Sequence, residues 1–194
     1  MEGHRERKKQ QTRARIIEAA FALFAERGYQ ATTLADIAEA ADIAPRTFFS
    51  YFPSKEAVVF HNFEAILASV QAAVDGRPEG ESTLDLLRNW VGRELSPDRR
   101  IRDEEALRTQ LCREDAGLAA FQQAQQSRFQ DVLRVGVARD LAEPPDGLRP
   151  KLVAAATMAA LVAIGDQTRD RDEALALFEE ALVFLRGGVA ALRG

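Results

Sequence analysis

Apolar residues recur at helical spacing along almost the whole chain. Between residues 12 and 27 they fall at positions i, i+3, i+4 and i+7, which places them on one face of a helix. These residues are Ile17, Ala20, Phe21 and Phe24. Gly28 follows directly and is typical of the residue that ends a helix. Because no segment alternates apolar and polar residues as a half-buried strand does, the pattern predicts an all-α protein with about nine helices.

Two short helices are expected next. Thr33 suits the N-cap of the first, with Asp36 three residues later. Residues 42–44 form a short turn, and Pro45 fits the first position of the second helix, where its missing N–H costs nothing. Pro53 ends that helix after Phe52. Together with the helix at 12–27, this order predicts a three-helix domain with a helix-turn-helix.

The rest of the chain is predicted to be a second helical region. A long helix is expected over 55–74, starting after the capping Ser54 and ending at Asp75-Gly76. Further helices are expected at about 82–95, 100–113, 115–141, 149–166 and 171–192. This organisation predicts two domains, 1–54 and 55–194.

Charge separates the start of the chain from its body. The 194 residues carry a net charge of −4. Residues 1–15 hold six basic side chains against two acidic ones, a local +4, whereas residues 61–194 hold 17 basic and 22 acidic residues. A basic arm on an acidic body indicates that only the N-terminal end meets a polyanion. The alternative is a solvated, disordered start.

Four aromatic residues crowd the second short helix. Phe48 and Phe52 are four residues apart and share a face, so they are predicted to join a core. Their partners in that core would be Ile17, Phe21, Leu34 and Ile43. Phe49 and Tyr51 then point away, and a domain this small does not normally expose two aromatics without a partner.

Duplex DNA is a partner that fits these residues. Arg46 can donate two hydrogen bonds to guanine, and Phe49 can contact a thymine methyl group. Hydroxyl and ammonium groups can donate to phosphate oxygens, as can backbone N–H groups at Thr32 and Thr33. The side-chain phosphate donors are Thr47, Tyr51 and Lys55. The helix from Pro45 would then lie in the major groove.

Residues from about Ile16 to Val59 resemble the DNA-binding domain of TetR-family transcriptional regulators. The resemblance is carried by Ile17-Glu18-Ala19-Ala20, Leu23-Phe24, Gly28-Tyr29, Thr32-Thr33, Ile37-Ala38, Ala41, Ile43 and the run from Thr47 to Glu56. It implies phosphate contacts at the positions of Thr47, Tyr51 and Lys55, and base contacts at Pro45, Arg46 and Phe49. Two positions depart from the family: Phe49 stands where tyrosine is usual, and Arg46 where a small residue is common. The whole predicted DNA-binding set is Thr32, Thr33, Ala44, Pro45, Arg46, Thr47, Phe49, Ser50, Tyr51 and Lys55.

The resemblance also implies a homodimer. TetR-like proteins pair the two helices equivalent to the last two here across a two-fold axis, and two half-sites on DNA need a dimer. One predicted contact face is Leu152, Ala155, Ala156, Ala159, Ala160 and Ala163. The other is Leu175, Phe178, Leu182, Leu185 and Val189. The alternative is that both faces pack inside one protomer.

A small-molecule effector is expected to bind between helices of the second region. The apolar candidates for its pocket are Phe63, Ile66, Leu67, Trp90, Leu111, Phe129, Leu133 and Met158. Each of them could instead be ordinary core. Since few polar residues accompany them, an apolar effector is favoured over a sugar or a metal. A further hint is that some regulators with a similar Pro-Arg-Thr-Phe-Phe helix sense fatty acyl compounds.

Other functions lack support in the sequence. Neither of the two histidines lies in a cluster with metal-ligand spacing, and no glycine-rich phosphate loop or serine elbow occurs, so no metal, cofactor or enzymatic activity is expected. The single Cys112 fits a reducing cytoplasm. The apolar stretch Leu152–Ile164 is too short for a bilayer, and no signal peptide is expected. The sequence therefore predicts a ligand-released repressor acting as a dimer on a palindromic operator. The alternatives are a helical adaptor without DNA binding and, less favoured, a helical enzyme.

Overall fold

The computed structural model describes residues 2–94, 99–168 and 170–193, and within these ranges the regular secondary structure is entirely helical. The all-α prediction is confirmed, with ten helices in place of about nine. They are α1 (Glu2–Arg27), α2 (Leu34–Ala40), α3 (Pro45–Phe48), α4 (Lys55–Val59), α5 (Phe63–Asp75), α6 (Thr83–Glu94), α7 (Arg99–Glu114), α8 (Ala116–Leu141), α9 (Leu148–Gln167) and α10 (Arg171–Arg193).

Helix α1 begins much earlier than the apolar stripe indicated. Residues 3–11 are helical and exposed, so the predicted arm is a helical extension of α1. Its lysine, arginine, glutamine and glutamate residues are good helix formers, and it contains no proline. The extension is anchored from Thr12 onward: Thr12 is buried, and Arg13 donates a hydrogen bond to the carbonyl of His61 at 2.5 Å. The guanidinium of Arg13 also lies 4.9 Å from the centre of the Phe52 ring.

The helix-turn-helix starts where the sequence predicts, but its second helix ends earlier than predicted. Thr33 caps α2 in a capping box, accepting from the Asp36 N–H at 3.2 Å while Asp36 accepts from the Thr33 N–H at 2.7 Å. Helix α3 starts at Pro45 as expected but ends at Phe48. The next residues form turns, with the Ser50 and Tyr51 N–H groups donating three residues back. Pro53 disfavours helical geometry at Phe52, the residue before it.

The helix predicted over 55–74 is wrong, because it is two helices separated by Phe60–Asn62. Tertiary contacts hold the side chains in this break. Phe60 stacks on Phe121 with ring centres 5.2 Å apart. The ring of His61 meets the edge of Phe21 and lies 3.3 Å from a carboxylate oxygen of Glu104. Such contacts, made with residues distant in sequence, override the local preference for one long helix.

The chain divides into two compact units. The first consists of Met1–Asn62 with Glu104–Gln122, and the second of Phe63–Asp103 with Gln123–Gly194. The first compact unit therefore extends past residue 54 and includes parts of α7 and α8. The functional division at 54/55 stays a prediction.

The first unit has a core built mainly on aromatic and branched residues. Phe48, Phe52 and Phe21 are buried as predicted, whereas Ile17, Leu34 and Ile43 are only half-buried. Its buried apolar residues are Ile16, Ala20, Phe21, Phe24, Tyr29, Ile37, Ala38, Ala41, Phe48, Phe52, Val58, Val59, Phe60, Leu111, Cys112 and Leu118. Burial raises the pKa of the Cys112 thiol, which keeps it protonated.

In the second unit, α6 and α8 are joined by a half-buried polar cluster. Arg77 donates to the Asp140 carboxylate at 2.5 Å and to the Thr83 hydroxyl at 2.7 Å. Asp140 also accepts from the Thr83 N–H at 2.8 Å. A side chain at Gly136 would come within 2.7 Å of Thr83, so this glycine permits the close approach. Around it lies an apolar cluster that includes Val70, Val74, Leu84, Leu87, Trp90, Val91, Phe129, Leu133, Ala154, Phe178, Leu182 and Leu185.

Helix α9 is longer than the apolar stretch read from the sequence. Over its 20 residues it is long and apolar enough, by length and composition alone, to cross a membrane, which corrects the prediction from Leu152–Ile164. A single helix of this kind is weak evidence for a span. Only 22% of its apolar window is buried. Leu148 and Leu152 are 71% and 52% exposed, so this helix presents an exposed apolar face.

Helix α10 buries the stripe that was predicted to form a dimer contact. Phe178, Leu182 and Leu185 are almost fully buried in the second unit's own core. The prediction for this stripe is therefore wrong, and the alternative of internal packing is correct for it. The exposed apolar residues of α10 are instead Val183 and Phe184, which are 72% and 77% exposed. We call Leu148, Leu152, Val183 and Phe184 the exposed apolar residues of α9 and α10.

Candidate DNA-binding surface and effector pocket

Helix α3 separates its aromatic side chains between core and surface. Phe48 is fully buried, whereas the adjacent Phe49 is 58% exposed and touches Phe48 edge-on with ring centres 5.7 Å apart. Most of the predicted DNA-binding set is also at the surface. Ala44, Pro45, Arg46, Phe49 and Ser50 are exposed, as is Thr33, while Thr47, Tyr51 and Lys55 are half-buried. The structure thus brings a guanidinium and an aromatic ring together on one exposed turn.

The two threonines before α2 have local partners. Thr32 is fully buried, and its hydroxyl donates to the carbonyl of Gly28 at 2.8 Å. Thr33 donates both its backbone N–H and its hydroxyl to Asp36, each at 2.7 Å. The backbone N–H of Thr32 donates to the carbonyl of Tyr29 at 3.2 Å, so in this conformation both predicted N–H donors already have partners within the first unit.

Lys55 is likewise engaged inside the first unit. Its ammonium donates to the carbonyls of Tyr29 and Thr32, both at 2.8 Å, and lies 3.9 Å from the centre of the Tyr29 ring. Burial lowers the pKa of Lys55, while the nearby carboxylates of Glu56 and Asp115 oppose that shift. Two of the three ammonium donors thus hold the segment before α2. The sequence predicted a phosphate contact and gave no sign of this role.

Tyr29 completes the same network. Its hydroxyl donates to a carboxylate oxygen of Glu56 at 2.7 Å, and its ring packs on Phe24 with centres 5.4 Å apart. Burial and the Glu56 carboxylate raise the pKa of Tyr29 far above its usual value, so the phenol stays neutral. The segment that precedes α2 is therefore fixed by both packing and charge.

Most of the predicted effector-pocket residues belong to, or pack against, the apolar core of the second unit. Trp90, Phe129 and Leu133 are buried in the second unit's apolar cluster, and Ile66, Leu67 and Met158 pack against it. The Trp90 and Phe129 rings have centres 5.6 Å apart, and the Trp90 N–H donates to Ser69 at 3.0 Å. The two remaining candidates lie elsewhere: Phe63 packs under the Arg128 guanidinium, and Leu111 is buried in the first unit.

A cavity of about 510 Å³ opens in the second unit at a different place. Its wall combines charged groups with an apolar floor. The lining residues are Arg77, Gly80, Glu81, Ser82, Leu84, Asp85, Val137, Arg139, Asp140, Val153, Arg186, Val189 and Ala190. None of the predicted pocket residues is among them. The sequence offered no usable signal, because charges beside loops and helix ends usually belong to solvated surface.

The side chains that could bind a metal ion do not assemble in the described ranges. No group of three or more histidine, cysteine, aspartate or glutamate side chains there is placed to hold a metal ion. His61 pairs with Glu104, with Arg13 and Arg108 also nearby. Burial is the largest cause that lowers the pKa of His61, and the two arginines act in the same direction against Glu104.

Comparison with known proteins agrees with this arrangement. Residues 16–61 match the family described as bacterial regulatory proteins, tetR family, and residues 81–190 match the family described as MftR C-terminal domain. The chain is 33% identical over 163 residues to the regulator TcmR of Streptomyces glaucescens, covering 79% of this chain and 71% of TcmR. It is 37% identical over 82 residues to MftR of Mycobacterium tuberculosis, covering 42% of this chain and 41% of MftR.

Solved structures show the same fold at low sequence identity. Salmonella enterica GusR superposes with a TM-score of 0.64 at 20% identity, covering 91% of this chain and 94% of GusR. Thermus thermophilus FadR, a TetR-family repressor solved with lauroyl-CoA, superposes with a TM-score of 0.56 at 22% identity. The match covers 89% of this chain and 92% of FadR. The prediction of a ligand-responsive, DNA-binding regulator is confirmed at the level of the family. The chain belongs to the TetR family of bacterial transcriptional regulators, whose members bind DNA operators and small-molecule effectors, usually as dimers.

Proposed function

We propose that this protein is a cytoplasmic repressor without enzymatic activity that binds a palindromic operator as a homodimer and leaves it when a small effector binds. The observation that carries the proposal is the exposed pair Arg46 and Phe49 above the buried Phe48. A guanidinium and a ring on the outer face of the third helix are suited to reading base edges in a major groove. The proposed base contacts are Pro45, Arg46 and Phe49. The residues proposed to lie beside the sugar-phosphate backbone of the DNA are Ala44, Thr47, Ser50 and Tyr51.

The exposed apolar residues of α9 and α10 support the dimer. Charged or small side chains normally cover the surface of a monomer, and several large apolar side chains on two neighbouring helices indicate a protein interface. The small residues Ala155, Ala159 and Ala163 are also exposed on α9 and allow close helix approach. A symmetric contact through α9 and α10 would give two recognition helices for two half-sites, about 34–36 Å apart on the DNA.

For the effector we propose an amphipathic compound of the fatty acyl class. The apolar cluster around Trp90 and Phe129 would have to open to admit its chain. FadR of Thermus thermophilus supports this class, since it was solved with lauroyl-CoA. The rival function, a helical adaptor that uses α3 to bind protein, predicts no binding of duplex DNA. A salt-dependent shift of duplex DNA by the purified protein separates the two.

Arg46→Ala is expected to relax base preference at one position in each half-site. Selection from random duplexes identifies the operator, and fluorescence anisotropy then measures affinity for it and for its single-base variants. The loss should be about 1–3 kcal/mol on the selected base and small on the others. The matched control is Lys9→Ala in the exposed α1 extension, which should weaken all sequences alike. Equal losses on operator and random DNA for Arg46→Ala would remove the assigned base contact.

Release by ligand is expected to be reciprocal. With lauroyl-CoA as the probe, its affinity for the protein should be about 5- to 150-fold lower when operator DNA is bound. The reason is that DNA must weaken ligand binding by the same factor by which the ligand weakens DNA binding. Calorimetric titration with and without operator measures this. Equal affinities while both ligands bind would rule out allosteric release. If lauroyl-CoA does not bind at all, the acyl class is wrong, and operator binding is unaffected.

A further inference from the structure

The corner between α7 and α8 belongs to the unit that carries the helix-turn-helix. Residues 104–122 form one compact unit with the first 62 residues. Contacts that join them include a hydrogen bond from the amide of Gln30 to the carboxylate of Asp115, the pairing of His61 with Glu104, and the stacking of Phe60 on Phe121. Leu111 and Leu118, on either side of the corner, are fully buried in the same unit. The corner is therefore built into the DNA-binding unit.

Asp115 uses its two carboxylate oxygens for different partners. Oδ1 accepts from the Leu118 N–H at 2.8 Å and so caps the first turn of α8. Oδ2 accepts from the side-chain amide of Gln30. The backbone N–H of Asp115 donates to the carbonyl of Leu111 at 2.9 Å, at the end of α7. Asp115 thus links three places: its backbone N–H bonds to the end of α7, and its side chain bonds to the start of α8 and to the segment before α2.

The 28–33 segment that Gln30 belongs to determines where α2 begins. It leaves α1 through Gly28, whose φ of +84° favours glycine, and it ends at Thr33, the cap of α2. Lys55 holds this segment at the carbonyls of residues 29 and 32. Asp115 holds it through Gln30, from α8 rather than from α4. A displacement of the segment would carry α2, and α3 packed behind it, out of position.

We propose that Asp115 is a positioning residue for operator binding, which acts through Gln30 on the 28–33 segment and makes residues 104–122 part of the DNA-reading body. This inference rests on the proposed binding of an operator by α3. It places a functional residue far outside the predicted DNA-binding domain 1–54. It also gives a movement at α7 or α8 a path to α2 that does not pass through α4.

The test moves the negative charge of the Gln30–Asp115 contact from position 115 to position 30. Gln30→Glu places two carboxylates against each other and should push the 28–33 segment away from the corner. The double variant Gln30→Glu with Asp115→Asn restores an amide–carboxylate pair of opposite direction and the original net charge. Asparagine is a good helix cap, so α8 keeps its first turn. Because the carboxylate introduced at position 30 is present in both variants, its repulsion of DNA phosphate cannot explain a recovery in the double variant.

The expected result is a loss of about tenfold in operator affinity for Gln30→Glu, within the range of coupling between contacting residues, and a recovery to within about threefold in the double variant. The matched control is Gln110→Glu. The Gln110 amide also donates to a carboxylate, that of Glu114 at 2.9 Å, but both residues lie within α7. This variant introduces the same repulsion at the surface and should leave operator affinity unchanged.

Two further measurements distinguish positioning from simple stabilisation. Amide hydrogen exchange should become faster for the first turns of α2 in Gln30→Glu, and slow again in the double variant, while the thermal midpoint changes little. A fall in midpoint with operator affinity within twofold of wild type at 25 °C would overturn the proposal, as would a folded double variant that recovers no affinity. If the wild-type protein selects no duplex at all, the proposed function itself fails, which is a different result.

Discussion

Phe184→Glu is expected to convert the protein to a monomer and to lower operator affinity by about 100-fold or more. Phe184 is 77% exposed on α10, so glutamate can replace it without disturbing the core of the protomer. In a symmetric dimer the substitution occurs twice, and each copy would place a carboxylate in an apolar contact. A monomer reaches only one half-site and loses the effective concentration that links the two binding events. Analytical ultracentrifugation and anisotropy with operator DNA measure the two effects.

The controls separate the interface from general surface effects. Phe184→Leu keeps an apolar side chain and should remain a dimer. Ile101→Glu places the same charge at another exposed apolar residue, on α7 and outside the proposed contact, and should change neither mass nor affinity. A Phe184→Glu protein that sediments as a dimer and binds operator normally would exclude α10 from the interface.

Lys55→Met is expected to destabilise the protein by about 2–4 kcal/mol. The substitution removes two hydrogen bonds from a charged donor to the carbonyls of Tyr29 and Thr32, each worth about 1.5–3 kcal/mol, and part of this is offset because the side chain is only half-buried. The thermal midpoint should fall by about 5–10 °C. Operator and random DNA should both bind more weakly, since the 28–33 segment no longer holds α2 in place. Calorimetry and anisotropy measure these changes.

Lys9→Met is the matched control for Lys55→Met. It removes the same charge from the exposed extension of α1, so the midpoint should stay near wild type. If Lys9 lies against phosphate, its loss reduces the salt slope of DNA binding by about 0.9. An unchanged midpoint for Lys55→Met with that same reduction in slope would mean that Lys55 is a phosphate contact, as the sequence predicts.

Local sequence signals correctly predicted those features of the fold that depend on neighbouring residues alone. Thr33 with Asp36, Gly28 and Pro45 each correctly indicated a helix boundary, because a cap or a restricted φ acts within a few residues. The spacing of Phe48 and Phe52 likewise identified the buried face of α3. The family resemblance extended these local signals to the function.

Prediction failed where contacts between distant residues decide the outcome. The break at Phe60–Asn62 depends on Phe121 and Glu104, so no pattern within 55–74 could reveal it. Periodicity also cannot tell which partner covers a stripe. The dimer contact that the family resemblance implies for the stripe of α10 is wrong for this reason: the stripe packs on its own protomer.

The candidate site shows the same limit. The sequence assigned Lys55, Thr32 and Thr33 to phosphate because their side chains or N–H groups can donate. In the structure the Lys55 ammonium and the N–H groups of Thr32 and Thr33 already donate to partners inside the first unit, and the partners of Lys55 are distant in sequence. Arg46 and Phe49, by contrast, are exposed as predicted, since α3 needs only one face for the core.

In the proposed dimer a second copy covers the exposed face of α9, so the response of the repressor depends on gene dosage. A free protomer leaves the apolar side chains of this face in water, which favours association. When the protomer concentration lies below the dimer dissociation constant, the amount of dimer rises with the square of that concentration. Halving the number of gene copies in that regime lowers the dimer concentration about fourfold, which makes derepression steeper than for a monomeric regulator.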